Sequence, residues 1–152
     1  MNANTRVTRE CTFRELAPPI ISAIRAHIAE YGLNNPEPDI MICCETTTTR
    51  EKRGLFGKST ETTISGVFLT PQWLVWSGTK EGTGSAQLKH IDVHDFADSA
   101  MYAISPDLGL NITGRYTNHN QTGQVFIGLA SGSSGQKFRD MLHKAIEAIK
   151  IK

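Results

Sequence analysis

Gly66-Val67-Phe68-Leu69-Thr70-Pro71-Gln72-Trp73-Leu74-Val75-Trp76 reads as one apolar strand, a tight turn and a second apolar strand. Aromatic and β-branched residues suit the two pleated runs, and proline suits the turn Thr70-Pro71-Gln72 because its φ is already fixed. Trp73 and Trp76 lie an odd number of positions apart, so in an extended chain they point to opposite faces. One belongs in a core, and the other needs cover from a helix or an interface.

Upstream, Thr60 to Leu69 continues the first of these strands and places Ile64, Gly66 and Phe68 on one face. Its hairpin partner is Ile40 to Thr49. There Ile40, Ile42 and Cys44 point one way, and Met41 and Cys43 the other, so both faces are apolar and both call for cover. The barrel interior supplies one. An N-terminal helix supplies the other: Leu16, Ile20, Ile21, Ile24, Ile28 and Tyr31 recur at helical spacing over about Leu16 to Tyr31. Pro18 and Pro19 belong in its first turn, where a missing donor costs little, and Gly32 offers the stop. Residues 34–38 read as a linker and residues 1–12 as a mobile tail.

Downstream, a glycine-rich turn over Gly78 to Gly84 precedes a strand from Ala86 to Val93. Weaker strands follow over Ala100 to Ile104 and Leu108 to Tyr116. After a polar turn from Asn118 to Gly123 comes Val125 to Ala130. Ser133-x-x-Gln136 has the form of a capping box opening a final helix whose apolar face is Phe138, Met141, Leu142, Ala145, Ile146 and Ile149. The expected fold is mainly β with α: an antiparallel barrel or sandwich of about seven strands, closed by a C-terminal amphipathic helix, plus an N-terminal helix.

A chain of 152 residues with 39% hydrophobic and 20% charged residues fits one soluble globular domain. No apolar run approaches the roughly 20 residues that span a bilayer, and Met1 to Glu10 lacks the apolar core of a signal peptide. The three cysteines, Cys11, Cys43 and Cys44, make no disulfide framework, which fits a reducing, cytoplasmic setting. The net charge of +1 is unevenly placed: the stretch 50–58 holds four cations against one carboxylate, which leaves −2 for the remainder. That balance, with no basic groove beside the aromatic residues, points away from nucleic acid.

About seven strands followed by one long helix is the order of the pleckstrin-homology-like superfold, and the chain resembles its bacterial and GRAM-like branches over roughly residues 40–150. Gly66 to Trp76 looks like that family's apolar strand, Leu-Thr, two-residue turn and second apolar strand. Leu88-Lys89-His90-Ile91 looks like the strand that follows, and Phe138 to Ile149 like the helix that plugs one end. The resemblance implies a pleckstrin-homology-like domain over 36–152, with residues 13–35 as a helix and linker packed on it. It also implies a non-catalytic binding or adaptor module. The chain departs from the family at Gln72-Trp73, where Arg or Asn is common. It departs again at Ser59 to Thr63, which lacks the second-strand bases of phosphoinositide-binding members.

The loop between the first two strands is Arg50-Glu51-Lys52-Arg53-Gly54-Leu55-Phe56-Gly57-Lys58. Leu and Phe are unusual in a turn, so something should cover them. Three readings stand: Leu55 and Phe56 fold back over the barrel mouth, meet a protein partner, or enter the edge of an anionic membrane with Arg50, Lys52, Arg53 and Lys58 around them. The last two make these six residues the expected contact site and allow peripheral attachment at a membrane. A competing class is a metal binder or metal-dependent enzyme using His90, Asp92 and His94, which share one face if the segment is a strand. The plainer explanation of that alternation is a half-buried strand with polar residues facing water. A third class is a subunit that self-assembles through exposed strand edges. No cofactor is expected, and none of the five histidines stands beside a nucleophile with a third orienting group.

Overall fold

The Gly66 to Trp76 hairpin lies at the middle of the larger of two antiparallel sheets. The computed structural model describes residues 4–99, 108–117 and 122–151. Its strands are β1 (Asn4–Glu10), β2 (Ile42–Gly54), β3 (Gly57–Leu69), β4 (Trp73–Gly78), β5 (Gly82–Gln87), β6 (Ile91–Asp95), β7 (Gly109–Gly114) and β8 (Gly123–Gly128). Its helices are α1 (Pro18–Glu30) and α2 (Ser133–Ile151). The strands form a five-stranded sheet, β1-β2-β3-β4-β5, and a three-stranded sheet, β6-β7-β8.

Residues 4–10, expected as tail, are an edge strand instead: β1 pairs with β2 from Asn4↔Arg50 to Glu10↔Cys44. Cross-strand contacts explain why this polar segment is held. Thr8 Oγ1 meets Thr46 Oγ1 at 2.8 Å, and Arg9 Nη2 reaches Glu45 Oε1 at 2.9 Å. The strand beginning at Ala100 lies outside the described residues.

The two sheets do not close into a barrel. β1 occupies the edge of β2, so β8 meets side chains there rather than an open ladder. The Arg6 guanidinium lies 5.4 Å from the centroid of the Phe126 ring, and the Ala130 amide donates to Thr8 Oγ1 at 2.8 Å. On the far side, the Thr117 amide donates to the Ser85 carbonyl at 2.9 Å, joining the segment after β7 to β5.

Alternation divides the apolar residues between two cores. Leu69, Leu74, Trp76, Ile112, Phe138 and Leu142 are buried between the sheets and under α2. Cys43, Phe68 and Val75 face the other way and are covered by Phe13, Leu16, Ile20 and Ile24. The tryptophans separate as their spacing requires: Trp76 is in the main core, and Trp73 packs at the edge of the cluster under α1.

Two local expectations shift. Leu16 is buried ahead of α1 rather than within it, after a short turn of 3-10 helix at Phe13–Glu15. The Gln136 amide bonds forward to Asp140 Oδ1 at 2.9 Å, instead of reaching back as a capping box would. α2 is anchored elsewhere. Buried Arg139 donates to the carbonyls of Ala130 (2.8 Å) and Leu129 (2.9 Å) and to Asp95 Oδ1 (2.8 Å).

Candidate functional site: an exposed hairpin tip

The ladder between β2 and β3 runs unbroken from Ile42↔Leu69 to Gly54↔Gly57. Among the described residues, its neighbours stop well short of the end. Asn4, the first described residue of β1, lies opposite Arg50, and β4 pairs with β3 only over Ser65 to Leu69. Among the described residues, no strand flanks residues 51–60, which form a two-stranded ribbon. At about 3.3 Å per residue it carries its apex on the order of 13 Å past Arg50.

Leu55 and Phe56 form that apex. Their relative exposures are 98% and 103%, so neither folds back over the sheet. Covering by the domain's own core is thereby excluded for both. The turn is possible because Gly57 has φ +119°, a conformation that residues with a Cβ rarely adopt.

Arg50 and Lys52 project to the face shared with Ser59 and Glu61, because register alternates by two. Lys52 forms an ion pair with Glu61. That hydrogen bond and charge hold the Glu61 carboxyl below its ordinary range, with Lys80 and Arg50 adding to the effect. The second strand, which carries no base from Ser59 to Thr63, thus supplies a carboxylate that engages a loop cation. Lys58 is exposed on the opposite face, and the backbone places Arg53 opposite it in register.

Behind the ribbon, where β8 approaches the large sheet, is an open cleft of about 360 Å³. Arg6, Arg50, Lys80, Glu61, Glu81 and Phe126 line it. Arg6 is fixed there by a 2.6 Å bond to Thr48 Oγ1 and by the Phe126 ring. Sequence reading missed this cleft because its lining comes from β1, β2, β3, the β4–β5 turn and β8. No local spacing signals such a set.

The His90, Asp92 and His94 constellation is not assembled. His90 lies in a short 3-10 turn (Leu88–His90) rather than on the strand, with Arg115 Nη2 3.4 Å from its Nε2. Asp92 and His94 are exposed and alternate with buried Ile91 and Val93, the pattern of a half-buried strand. Asp92 is engaged by Lys150, which lowers its pKa. Among the described residues, no group of three His, Cys, Asp or Glu side chains is placed to hold a metal ion.

A buried polar chain was also not anticipated. His27 Nε2 lies 2.8 Å from Ser85 Oγ, which lies 2.7 Å from Thr117 Oγ1; that hydroxyl donates to the Ser85 carbonyl at 3.1 Å. The chain ends on a backbone acceptor, so it ties α1 to β5 and to the segment after β7. Burial lowers the His27 pKa and favours the neutral ring.

Among the described residues, no helix is long and apolar enough to cross a membrane. Compared with protein-family models, with curated proteins and with solved structures, the chain finds no match in any of the three.

Proposed function

We propose that the chain is a non-catalytic binding module of the pleckstrin-homology-like kind, and that it docks peripherally on an anionic membrane surface through the tip of the β2–β3 hairpin. The observation that carries this reading is the complete exposure of Leu55 and Phe56 at the apex of a ribbon that, among the described residues, no other strand flanks. The strand order supports the fold part: four consecutive antiparallel strands, β2 to β5, then three, β6 to β8, then α2.

A convex apex with cations at positions on both faces of the ribbon suits a flat surface of negative charge. Each Lys or Arg near an anionic leaflet contributes about 1 kcal/mol, and full burial of a Leu or Phe side chain about 1.5–3 kcal/mol. The Lys52–Glu61 pair offsets part of the charge term, so attachment is weak, salt-sensitive and unselective among anionic headgroups.

Co-sedimentation tests the reading. Wild type should pellet with vesicles containing phosphatidylserine and be released by 0.5 M salt, on the order of the concentration at which charge is screened within a few ångströms. Leu55→Asp/Phe56→Asp should stay in solution. Equal pelleting of both proteins, or of neither, refutes membrane docking; loss of pelleting by neutral vesicles alone does not, because the charge term requires an anionic surface.

A further inference from the structure

The chain follows β2 for one step beyond the end of β1. The Cys11 amide donates to the Cys43 carbonyl at 2.9 Å, continuing the register that pairs Glu10 with Cys44. Cys11 therefore stands opposite Cys43. Alternation puts both on the face that carries the preceding opposed pair, Arg9 and Glu45. Cys11 packs against the same apolar cluster that buries Cys43. Opposed residues of an antiparallel pair have Cα atoms about 4.5–5.5 Å apart, within the roughly 4.4–6.8 Å that a disulfide spans.

The third cysteine is separated from this pair by the sheet itself. Cys44 points into the main core, with Sγ 3.9 Å from the Ser134 carbonyl oxygen. Cys11 is half-buried, whereas Cys43 is buried under the α1 cover beside Phe13 and Leu16. An oxidant from solution thus meets Cys11 first, and Cys43 lies behind it as the resolving thiol.

We propose that Cys11 and Cys43 are a thiol-oxidation site, which a small-molecule disulfide converts into an intramolecular bridge between the end of β1 and β2. Cys11 releases its proton, and the thiolate attacks one sulfur of the oxidant RS–SR. A Cys11–S–SR mixed disulfide forms and RS⁻ leaves. Cys43 then releases its proton and attacks Cys11 Sγ, expelling the second RS⁻. Each RS⁻ takes up one of the released protons. Two protein thiols become one disulfide, and the oxidant is reduced by two electrons to two RSH. Burial raises the pKa of both thiols, so closure is slow at neutral pH and accelerates as pH rises.

The bridge would close a loop over residues 11–43 that contains all of α1, and so restrain the unfolded chain and hold the helix on its face of the sheet. Oxidised glutathione acting on the full chain tests this, with free thiols counted and peptides mapped by mass spectrometry. Free thiols should fall from three to one, with a Cys11–Cys43 linked peptide and Cys44 still reduced. The melting temperature should rise by about 7–15 °C and return on addition of dithiothreitol. Cys44→Ala should behave like wild type, and Cys11→Ser should leave Cys43 unmodified. A stable glutathione adduct on Cys11 with Cys43 still reduced, a linkage that includes Cys44, or an unchanged or lowered melting temperature overturns the proposal.

Discussion

The backbone amide of Ala17 donates to Glu45 Oε2 at 2.7 Å, so a carboxylate on β2 closes the N-terminus of α1. Pro18 and Pro19 remove two amides from the first turn, and Ala17 has no side-chain oxygen with which to cap it. The cap comes instead from the sheet that the helix covers, and its negative charge suits the positive end of the helix dipole. The other oxygen of Glu45 accepts from Arg9 Nε at 3.1 Å and Nη2 at 2.9 Å. One buried side chain thereby joins β1, β2 and α1.

Glu45→Ala should accordingly lower stability by about 2–3 kcal/mol, since bonds to a charged group are lost and Arg9 loses its partner. Glu45→Gln should recover part of the loss, because an amide oxygen still accepts from Ala17. Urea denaturation of the three proteins measures this; equal stability of all three would show that Glu45 does not hold the helix.

The helix also rests directly on a glycine. A Cβ built at Gly66 would lie 2.9 Å from Ile20 Cγ2 and 3.1 Å from Leu16 Cδ2. Gly66→Ala should therefore push α1 off β3 and cost about 1–3 kcal/mol, as overpacking does. Thermal melts check the loss. Faster amide exchange in Ile20 to Ile24 than in β7 would locate it at the helix.

At the hairpin tip the expectation is the reverse. Because Leu55 and Phe56 touch nothing in the fold, Leu55→Ser/Phe56→Ser should change stability by less than about 0.5 kcal/mol. The same protein should lose vesicle binding at least tenfold. A melting temperature lowered by several degrees would mean that the tip supports the fold.

His27 should make stability pH-dependent. Its folded pKa is depressed by burial, with Glu30 opposing the shift, so below the ordinary histidine range the unfolded chain binds the extra proton more readily. This contribution is fully present above about pH 6.5 and is lost as pH falls through the lower, folded pKa. Urea midpoints measured from pH 7.5 down to 5 should fall for wild type. His27→Gln should be less stable at neutral pH and show a shallower decline. Parallel curves would assign the slope to other groups.

Much of this architecture is written in local pattern. The alternation through Val67, Phe68, Leu69, Leu74, Val75 and Trp76 defines a strand pair covered on both faces, and the stripe of Ile20, Ile24 and Ile28 supplies a helix in need of one. β1 was illegible because Asn4 to Glu10 is polar and carries no apolar alternation; what orders it is its cross-strand partners on β2. The strand reading of His90 failed because a single 3-10 turn takes that residue out of phase with Asp92 and His94.

The sequence by itself determined that Leu55 and Phe56 sit in a glycine-flanked turn among cations, because turn chemistry and charge are local properties. Whether those side chains were covered could be decided only by the lengths of strands far away in the chain. Asn4 of β1 lies opposite Arg50 and β4 reaches no further than Ser65, so among the described residues no strand flanks the ribbon, and its apex stands in solvent. The pairing of Cys11 with Cys43 has the same origin. Register, which is set by the contacts of whole strands, brings together two residues whose separation in sequence says nothing of their contact.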